Sequence, residues 1–448
     1  MTARFSRFFD IRSGEAYRVS IMASLLFLLL AANNLIKILR DSIFLGQHSV
    51  SELPYLYISV ALLAGVIIAT YTRYTANLSI VRLILTTNVI ILSNIGFFWF
   101  VLTYFDPGWS HYAFYIWSAI ASVTAVAQLW TLANHIFTPE EGKRSFGLLT
   151  AGGTVGGAAA GFGVKWSLHL FVESNHLLWV VAGLYIAASA LVLWAESRFE
   201  GKVSERELEM PEEPKEARTG SIGELLASSR YLKTIAAIIL FSVVVSTLID
   251  FQFKAAAKQA YPSRGDLTGF FSSYYGWLSV ATFFAQVVLT GKTLTAFGLR
   301  PSLYLTPGAL FTGSLTIMIW PSLLAAALTR MADVTLRNSI HRSGMEILYM
   351  AVPSGVMRRV KSFLDVVIER VGDASAGFII ILFSFSSTER YLTYVHFICL
   401  ALIFLWFVLI PVLQIGYVEA LSKGLITKEL PPRDDWLASN RSRGSLRD

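Results

Sequence analysis

Three sets of ionisable residues interrupt otherwise apolar stretches of the sequence. Lys37, Arg40 and Asp41 fall in NNLIKILRD, and Asp250, Lys254 and Lys258 in LIDFQFKAAAK; Arg330, Asp333 and Arg337 belong to a third run that continues to Glu346. Steps of three and four residues bring each set onto one face of a helix. An ionisable group among apolar residues costs a few kcal/mol even on insertion scales, so each needs a partner or a water-filled cavity. Lysine and arginine donate charge-assisted hydrogen bonds that suit phosphate. The chemistry open to these residues is the holding of an anion. Lys37, Arg40, Lys254 and Arg337 would make the contacts, and Asp41, Asp250 and Asp333 would orient them or carry a proton. A structural reading stands beside this one, with pairs at helix ends whose long side chains reach for a polar boundary.

The elements that must position these residues follow from composition. Of 448 residues, 54% are hydrophobic and 15% charged, with a mean hydropathy of +0.57; soluble domains carry about 25% charged residues. That excludes an ordinary soluble enzyme and a disordered chain, and leaves a bilayer as the solvent. A helix crossing hydrocarbon needs roughly 20 mostly apolar residues, and such runs occur at 18–38, 54–72, 81–105, 111–137, 145–171 and 176–195. A second set lies at 231–253, 267–291, 299–320, 322–352, 372–388 and 392–416. These runs are too long and too continuous for the strands of a β-barrel, which are about 10 residues each. The expected fold is an all-α polytopic membrane protein with twelve transmembrane helices in two pseudo-symmetric six-helix halves. The halves are expected at 1–195 and 231–416, joined by a polar cytoplasmic linker at 196–230 containing EMPEEPKEAR, with a polar cytoplasmic tail at 417–448.

Loop charges give an orientation. Counted from a cytoplasmic N-terminus, the inner loops hold Arg73, Arg82, Lys143, Arg144, Lys292, Arg300, Arg342, Arg358, Arg359, Lys361, Lys423 and Lys428, whereas the outer loops near Asp106–Pro107, Glu173–His176 and Pro321 hold no Lys or Arg. This is the positive-inside pattern, with both termini cytoplasmic, and it accounts for the net charge of +7 without nucleic acid. Lys254, Lys258 and Arg264 break it, and would sit outside or in a cavity. The single Cys399 allows no intrachain disulfide, and the seven histidines show no ligand spacing, so no metal and no cofactor is expected. The run AGGTVGGAAAGFG (Ala151–Gly163) has no following Lys-Ser/Thr and lies inside a span, which reads as close helix packing.

Six plus six helices with a central linker is the layout of the major facilitator architecture, whose halves rock around a mid-membrane site. Read with their neighbours, the charged sets also resemble the nucleotide transporter family, the ATP/ADP translocases of plastids and obligate intracellular bacteria. NLIKILRD (Asn34–Asp41) is similar to that family's first-span ending, and LIDFQFKAAAK to the stretch after its seventh span. LWTLANHIFTPEEGKRSFGLL resembles its fourth-span motif through Trp130, Ala133, Asn134, Glu141, Lys143, Arg144 and Phe146. RNSIHRSGMEILY and KSFLDVVIERVGDASAGF resemble its tenth-span and following motif through Ser339, Glu346, Tyr349, Lys361, Asp365 and Gly372. Family members that exchange ATP for ADP carry lysine where this chain has Ile43 and Asp373, and glutamate where it has Ser118 and Asp250.

The resemblance implies a secondary transporter, not an enzyme, that moves a nucleotide or related phosphorylated anion by alternating access, either by exchange or with proton coupling. It adds Asn134, Asp250 and Glu346 to the expected substrate contacts. Asp41, Asp333, Lys361, Asp365 and Asp373 are then expected as charge pairs or gate residues, with the cluster around Asp365 closing the cytoplasmic side. The chain is expected to act as a monomer in a lipid bilayer, the inner membrane of a bacterium. Two alternatives remain open at this stage: a transporter of another anionic solute, such as a sugar phosphate, peptide fragment or lipid intermediate, and an integral membrane transferase. The second would need paired carboxylates or an intramembrane His–Asp pair on a fixed face, and no DxxxD pair is present.

Overall fold

The computed structural model describes residues 15–75, 79–167, 174–199, 229–289, 298–352, 363–384 and 391–429, together with 223, 226, 293, 296, 357, 360 and 361. Among them there are twelve membrane-length helical segments and no strands. The first six are α1 (Ala16–Gln47), α2 (Leu53–Thr75), α3 (Ile80–Tyr104), α4 (Gly108–Ile136), α5 (Pro139–Ser167) and α6 (Leu177–Phe199). The second six begin with α7 (Arg230–Ala260), α8 (Arg264–Phe284) and α9 (Leu299–Ile319). In α10 two α-helical pieces, Leu323–Leu336 and Arg342–Tyr349, flank a π-helical turn at Arg337–His341. A second π turn, Leu364–Ile368, opens α11, which continues as Glu369–Ser384, and α12 is Tyr391–Glu429.

Helix starts are marked in the sequence by serine caps, whose hydroxyls accept an otherwise orphaned backbone N–H. Ser229, Ser263 and Ser322 do this for α7, α8 and the first piece of α10. Among the described residues, nine helices are long and apolar enough to cross a membrane on length and hydropathy alone; α8, α10 and α11 are not among them. Large apolar side chains face outward on many helices, among them Leu62, Val89, Trp166, Trp277 and Phe404, as a lipid-facing surface requires. The chain is a multi-pass membrane protein.

Several boundaries differ from the sequence expectation, among them the start of α11, which opens at Leu364 rather than at 372. The first helix does not end at the Lys37–Asp41 charges but runs on to Gln47, and the seventh carries Asp250, Lys254 and Lys258 within it to Ala260. Asp41 is 0% and Lys254 1% exposed, so these charges are internal rather than terminal. They are tolerated because they pair with one another, which removes the reason to end a span there. The tail expected from 417 is helical as far as Glu429. The linker expected at 196–230 falls almost wholly outside the described residues, as do Arg73, Lys143, Arg144, Lys292, Arg358 and Arg359 as side chains.

Two apolar cores reflect the two halves. One is built only from α1 to α6 and their immediate surroundings, from Val19 to Ala195. The other is built mainly from α7 to α12, but also takes in Phe44, Leu45, Leu53, Leu56, Tyr57 and Tyr115 from the first half. Those residues lie toward the face opposite the N-terminal ends of α1 and α7, here the far face. The halves therefore share a core at the far face. Gly377 of α11 lies against Pro54 and Ile58 of α2, and Gly161 of α5 against Gly276 of α8. Arg264, which starts α8, donates to Asn175 ahead of α6.

Toward the N-terminal face the halves part. A vestibule of about 1640 Å³ opens there between the first turns of α1 and α5 and the last turns of α8 and α10. Its lining includes Ser24, Asn134, Phe146, Gln286, Arg342 and Glu346.

Candidate functional site

Between the shared core and the vestibule lies a cavity of about 530 Å³ at the interface of the two halves. Asn338 of α10 borders both spaces. α1, α2 and α4 contribute Lys37, Arg40, Tyr57 and Tyr115 to its wall. α7, α8, α10 and α11 contribute Asp250, Lys254, Tyr275, Arg330, Arg337, Glu369, Arg370 and Asp373. Helical spacing within α7 and α10 brings the sets together, and crossing of the two halves brings the sets of α1, α7 and α10 face to face.

The charges form one connected network. Arg40 donates through Nε to Asp41 at 3.0 Å, and its guanidinium lies 4.6 Å from the centre of the Tyr115 ring. Asp41, buried, also accepts from the Tyr275 hydroxyl at 2.6 Å and lies 3.3 Å from the Lys254 ammonium. Lys254 contacts Asp250 at 2.8 Å and donates to the Tyr115 hydroxyl at 3.0 Å. Asp250 accepts from the Tyr57 hydroxyl at 3.0 Å and pairs with Arg330 at 3.0 Å. Arg330 and Arg337 both hold the buried Asp333, at 2.5 and 2.9 Å, and Ser246 donates to the same carboxylate at 2.6 Å. On α11, Arg370 reaches Asp373 at 3.1 Å, and Thr247 of α7 donates to Asp373 at 2.9 Å.

Four of these contacts cross from one half to the other: Lys254 to Asp41, Tyr275 to Asp41, Tyr57 to Asp250 and Lys254 to Tyr115. The network is thus a clasp as well as a lining. In low dielectric a buried charge is tolerable only when paired and hydrogen-bonded, and every aspartate here meets that condition. Lys37 does not: it lines the cavity and, among the described residues, makes no hydrogen bond and no ion pair, its nearest charges acting on it only through space. Among the described residues, every other cation lining the cavity meets a carboxylate.

The sequence-predicted residues divide into two places. Lys37, Arg40, Asp250, Lys254, Arg337 and Asp373 line the cavity, with Asp41 and Asp333 bracing them from behind. Asn134, Glu346 and Lys361 line the vestibule, where the Lys361 ammonium bonds both oxygens of Glu346 at 2.6 and 2.7 Å. Asp365 is exposed near Lys361 and Glu346 and, among the described residues, enters no ion pair within 4 Å, so the Lys361 partner is Glu346. Lys258 reaches the Pro262 carbonyl at the far face. Ile43 and Ser118 are fully buried and line neither space; the Ser118 hydroxyl donates to the Tyr115 carbonyl.

Sequence reasoning passed over Arg330 as a contact, although its step of three to Asp333 and seven to Arg337 already put it on the same face. It also passed over Tyr57, Tyr115 and Tyr275, because a tyrosine in an apolar run gives no sign that its hydroxyl will meet a carboxylate from another helix.

Comparison with known proteins agrees with this architecture. The profile of the family described as TLC ATP/ADP transporter matches residues 84–362. The chain is 23% identical over 372 residues to ADP,ATP carrier protein 2 of Chlamydia pneumoniae, covering 72% of this chain and 69% of that protein. It is 22% identical over 356 residues to the chloroplastic ADP,ATP carrier protein 1 of Arabidopsis thaliana, covering 72% of this chain and only 56% of the plastid protein. Among solved structures, a bacterial homologue of the iron transporter ferroportin in an inward-facing state matches with a TM-score of 0.60 at 12% identity, over 90% of this chain and 99% of the other. That likeness is one of fold.

Proposed function

The chain belongs to the TLC ATP/ADP transporter family, whose profile covers more than half of it, and from that premise we propose that it carries a nucleotide or closely related phosphorylated anion across the membrane by alternating access. The observation that carries this reading is Lys37, which among the described residues is the unmatched cation in a cavity walled by both halves. The Chlamydia and Arabidopsis relatives named as ADP,ATP carriers support the nucleotide class.

A phosphoryl oxygen drawn to Lys37 also comes within the reach of Arg40, Arg330 and Arg337, whose guanidinium groups keep N–H donors beyond those given to the aspartates, and of Lys254, whose three donors already meet Asp41, Asp250 and Tyr115. It competes with Asp41 for Lys254, and so acts on a contact that ties the halves together. Binding thereby couples to the opening and closing of the clasp: a ligand can shift the balance only through contacts that differ between the two states. The positive-inside distribution of loop charges supports a cytoplasmic N-terminal face, hence an inward-open vestibule, in the inner membrane of a bacterium. The Glu346–Lys361 pair in the vestibule would serve as part of a cytoplasmic gate.

The test is counterflow in proteoliposomes. Labelled nucleotide should accumulate when unlabelled nucleotide is trapped inside, and Lys37→Gln should reduce that accumulation at least ~10-fold, as loss of a charge-assisted contact implies. The same variant should melt no lower than the parent, because it removes an uncompensated cation rather than one half of a pair. Absence of uptake of every nucleotide, with or without internal counter-substrate, would overturn the reading. So would a Lys37→Gln protein that unfolds early but transports at the parental rate per folded molecule.

A further inference from the structure

The charges around the central cavity come close to balance and stop one short of it. Among the described residues, Asp41, Asp250, Asp333, Glu369 and Asp373 each lie within 4 Å of a cationic nitrogen. The cations that hold these five carboxylates are Arg40, Lys254, Arg330, Arg337 and Arg370. Lys37 is the sixth cation, and it holds none. Among the described residues the vestibule sets Arg342 and Lys361 against Glu346, with Asp365 close to both cations. Among the described residues the cavity thus offers one uncompensated positive charge.

This matters because alternating access requires a moment at which the loaded site is closed to both faces. Any charge left over is then out of water, and each such unit costs several kcal/mol. A substrate cannot escape the limit by taking cations from the aspartates. Lys254 or Arg330 given to a phosphate is lost to Asp250, so the imbalance is moved and not removed. A phosphate monoester carries about −1.5 to −2 near neutral pH, which Lys37 reduces to about one unit or less. Every further phosphoryl group brings about one more negative charge that no cation in the cavity is free to meet.

Resting on the transport reading above, we infer that the substrate bears a single phosphoryl group: a nucleoside monophosphate or a phosphate ester of similar size, in preference to a diphosphate or triphosphate. The cavity volume of about 530 Å³ suits a ligand of that size, since small-molecule sites run from about 300 to 1,000 Å³. The preference follows from the aspartates as much as from the cations. Asp373 is the carboxylate whose neutralisation changes the sum with least disturbance, because it shares Arg370 with Glu369 and keeps a hydrogen bond to Thr247 as an amide.

The experiment measures binding of AMP, ADP and ATP to the purified full chain at fixed ionic strength without divalent cations. AMP should bind at least ~10-fold more tightly than ATP, with ADP between them, as the charge sum requires. Asp373→Asn, which raises the net charge by one, should narrow the AMP-to-ATP ratio by several-fold. Should that variant fail to fold, Ala119→Lys, which adds a cation to the wall without touching a pair, makes the same test. Tighter binding of ADP or ATP than of AMP, or a ratio unmoved in a folded variant, overturns the inference and leaves the transport reading intact. Binding of a non-nucleotide monoester such as a hexose phosphate in place of AMP upholds the single phosphoryl group and rejects the nucleoside. If no phosphorylated compound binds, both the inference and the transport reading fall.

Discussion

Asp333 sits at 0% exposure between two arginines four and three residues away, and each depends on it. Removal of one partner from such a cluster is worse than removal of all of it, because the remaining charges stay buried without compensation. Asp333→Ala should therefore lower stability by about 3–5 kcal/mol, read as early thermal unfolding in detergent, whereas Lys37→Gln should not. Opposite signs at two charged residues of one cavity separate bracing from binding. That contrast was only half legible in the sequence. The spacing of Arg330, Asp333 and Arg337 announces a shared face, but nothing in NNLIKILRD says that Arg40 will be matched by its neighbour Asp41 while Lys37, one turn earlier, is left alone. Pairing across helices is a property of where they cross, which local spacing does not contain.

At the scale of the helix, α5 and α1 carry the most specific expectations. Glycines of the Ala151–Gly163 run face two different neighbours. Gly152 and Gly156 lie against α1 at Ala23 and Phe27, and Gly157 and Gly161 against α8 at Ser279 and Gly276. A Cβ on Gly161 would come within 2.6 Å of the Gly276 backbone, so Gly161→Leu should force the halves apart at the far face. It should lower stability by about 1–3 kcal/mol and make cysteines introduced at buried far-face positions reactive to an impermeant thiol reagent.

At the other face, Arg18 of α1 donates to Glu141 of α5 at 2.7 Å and to the Ile136 carbonyl at 3.1 Å. Burial pushes the Glu141 carboxyl up, but the Arg18 bond and those from Thr138 outweigh it and hold the group below its ordinary 4.5. A carboxylate so lowered contributes stability above its ordinary range and loses it as pH falls through the lowered value. Glu141→Gln should therefore melt lower than the parent by about 1–2 kcal/mol at neutral pH, and the two curves should meet in acid. The number and order of the helices could be read from apolar runs, since a span of ~20 residues is hard to hide. The ends of α1 and α7 could not, because charge inside a run and charge at its end look alike until the partner is known.

Across the whole molecule, the two halves share a core at the far face and separate around the vestibule at the other. Alternating access predicts that this asymmetry reverses. Spin labels on cysteines at Ser24 of α1 and Ser343 of α10, which face each other across the vestibule, should give a long distance in the empty protein. A shorter component should appear when substrate is added, measured by pulsed dipolar spectroscopy; native Cys399 is buried and leaves the label sites clean. A distribution that never shortens with any bound phosphate ester would count against a rocking mechanism. The family and the twelve-helix plan were legible because both are carried by long stretches of sequence. The clasp was not, because Tyr57, Tyr115 and Tyr275 reach their carboxylates only through the contact of the halves.

Where those halves meet near the middle of α5, Asn34 donates to the Gly157 carbonyl at 2.9 Å and to the Ser279 hydroxyl at 3.0 Å. Three helices from both halves are pinned there by one side chain, at a place where glycine leaves no thickness between them. A joint of that kind is a fulcrum. From Gly157 to Pro139 at the rim of the vestibule is roughly 27 Å of helix, so a tilt of roughly 10° about the pin swings the rim by roughly 5 Å. Little moves at the pin itself. Leverage, rather than large rearrangement at the centre, would set the size of the opening, and lengthening the side chain at position 34 would shift the balance point more than any change at the rim.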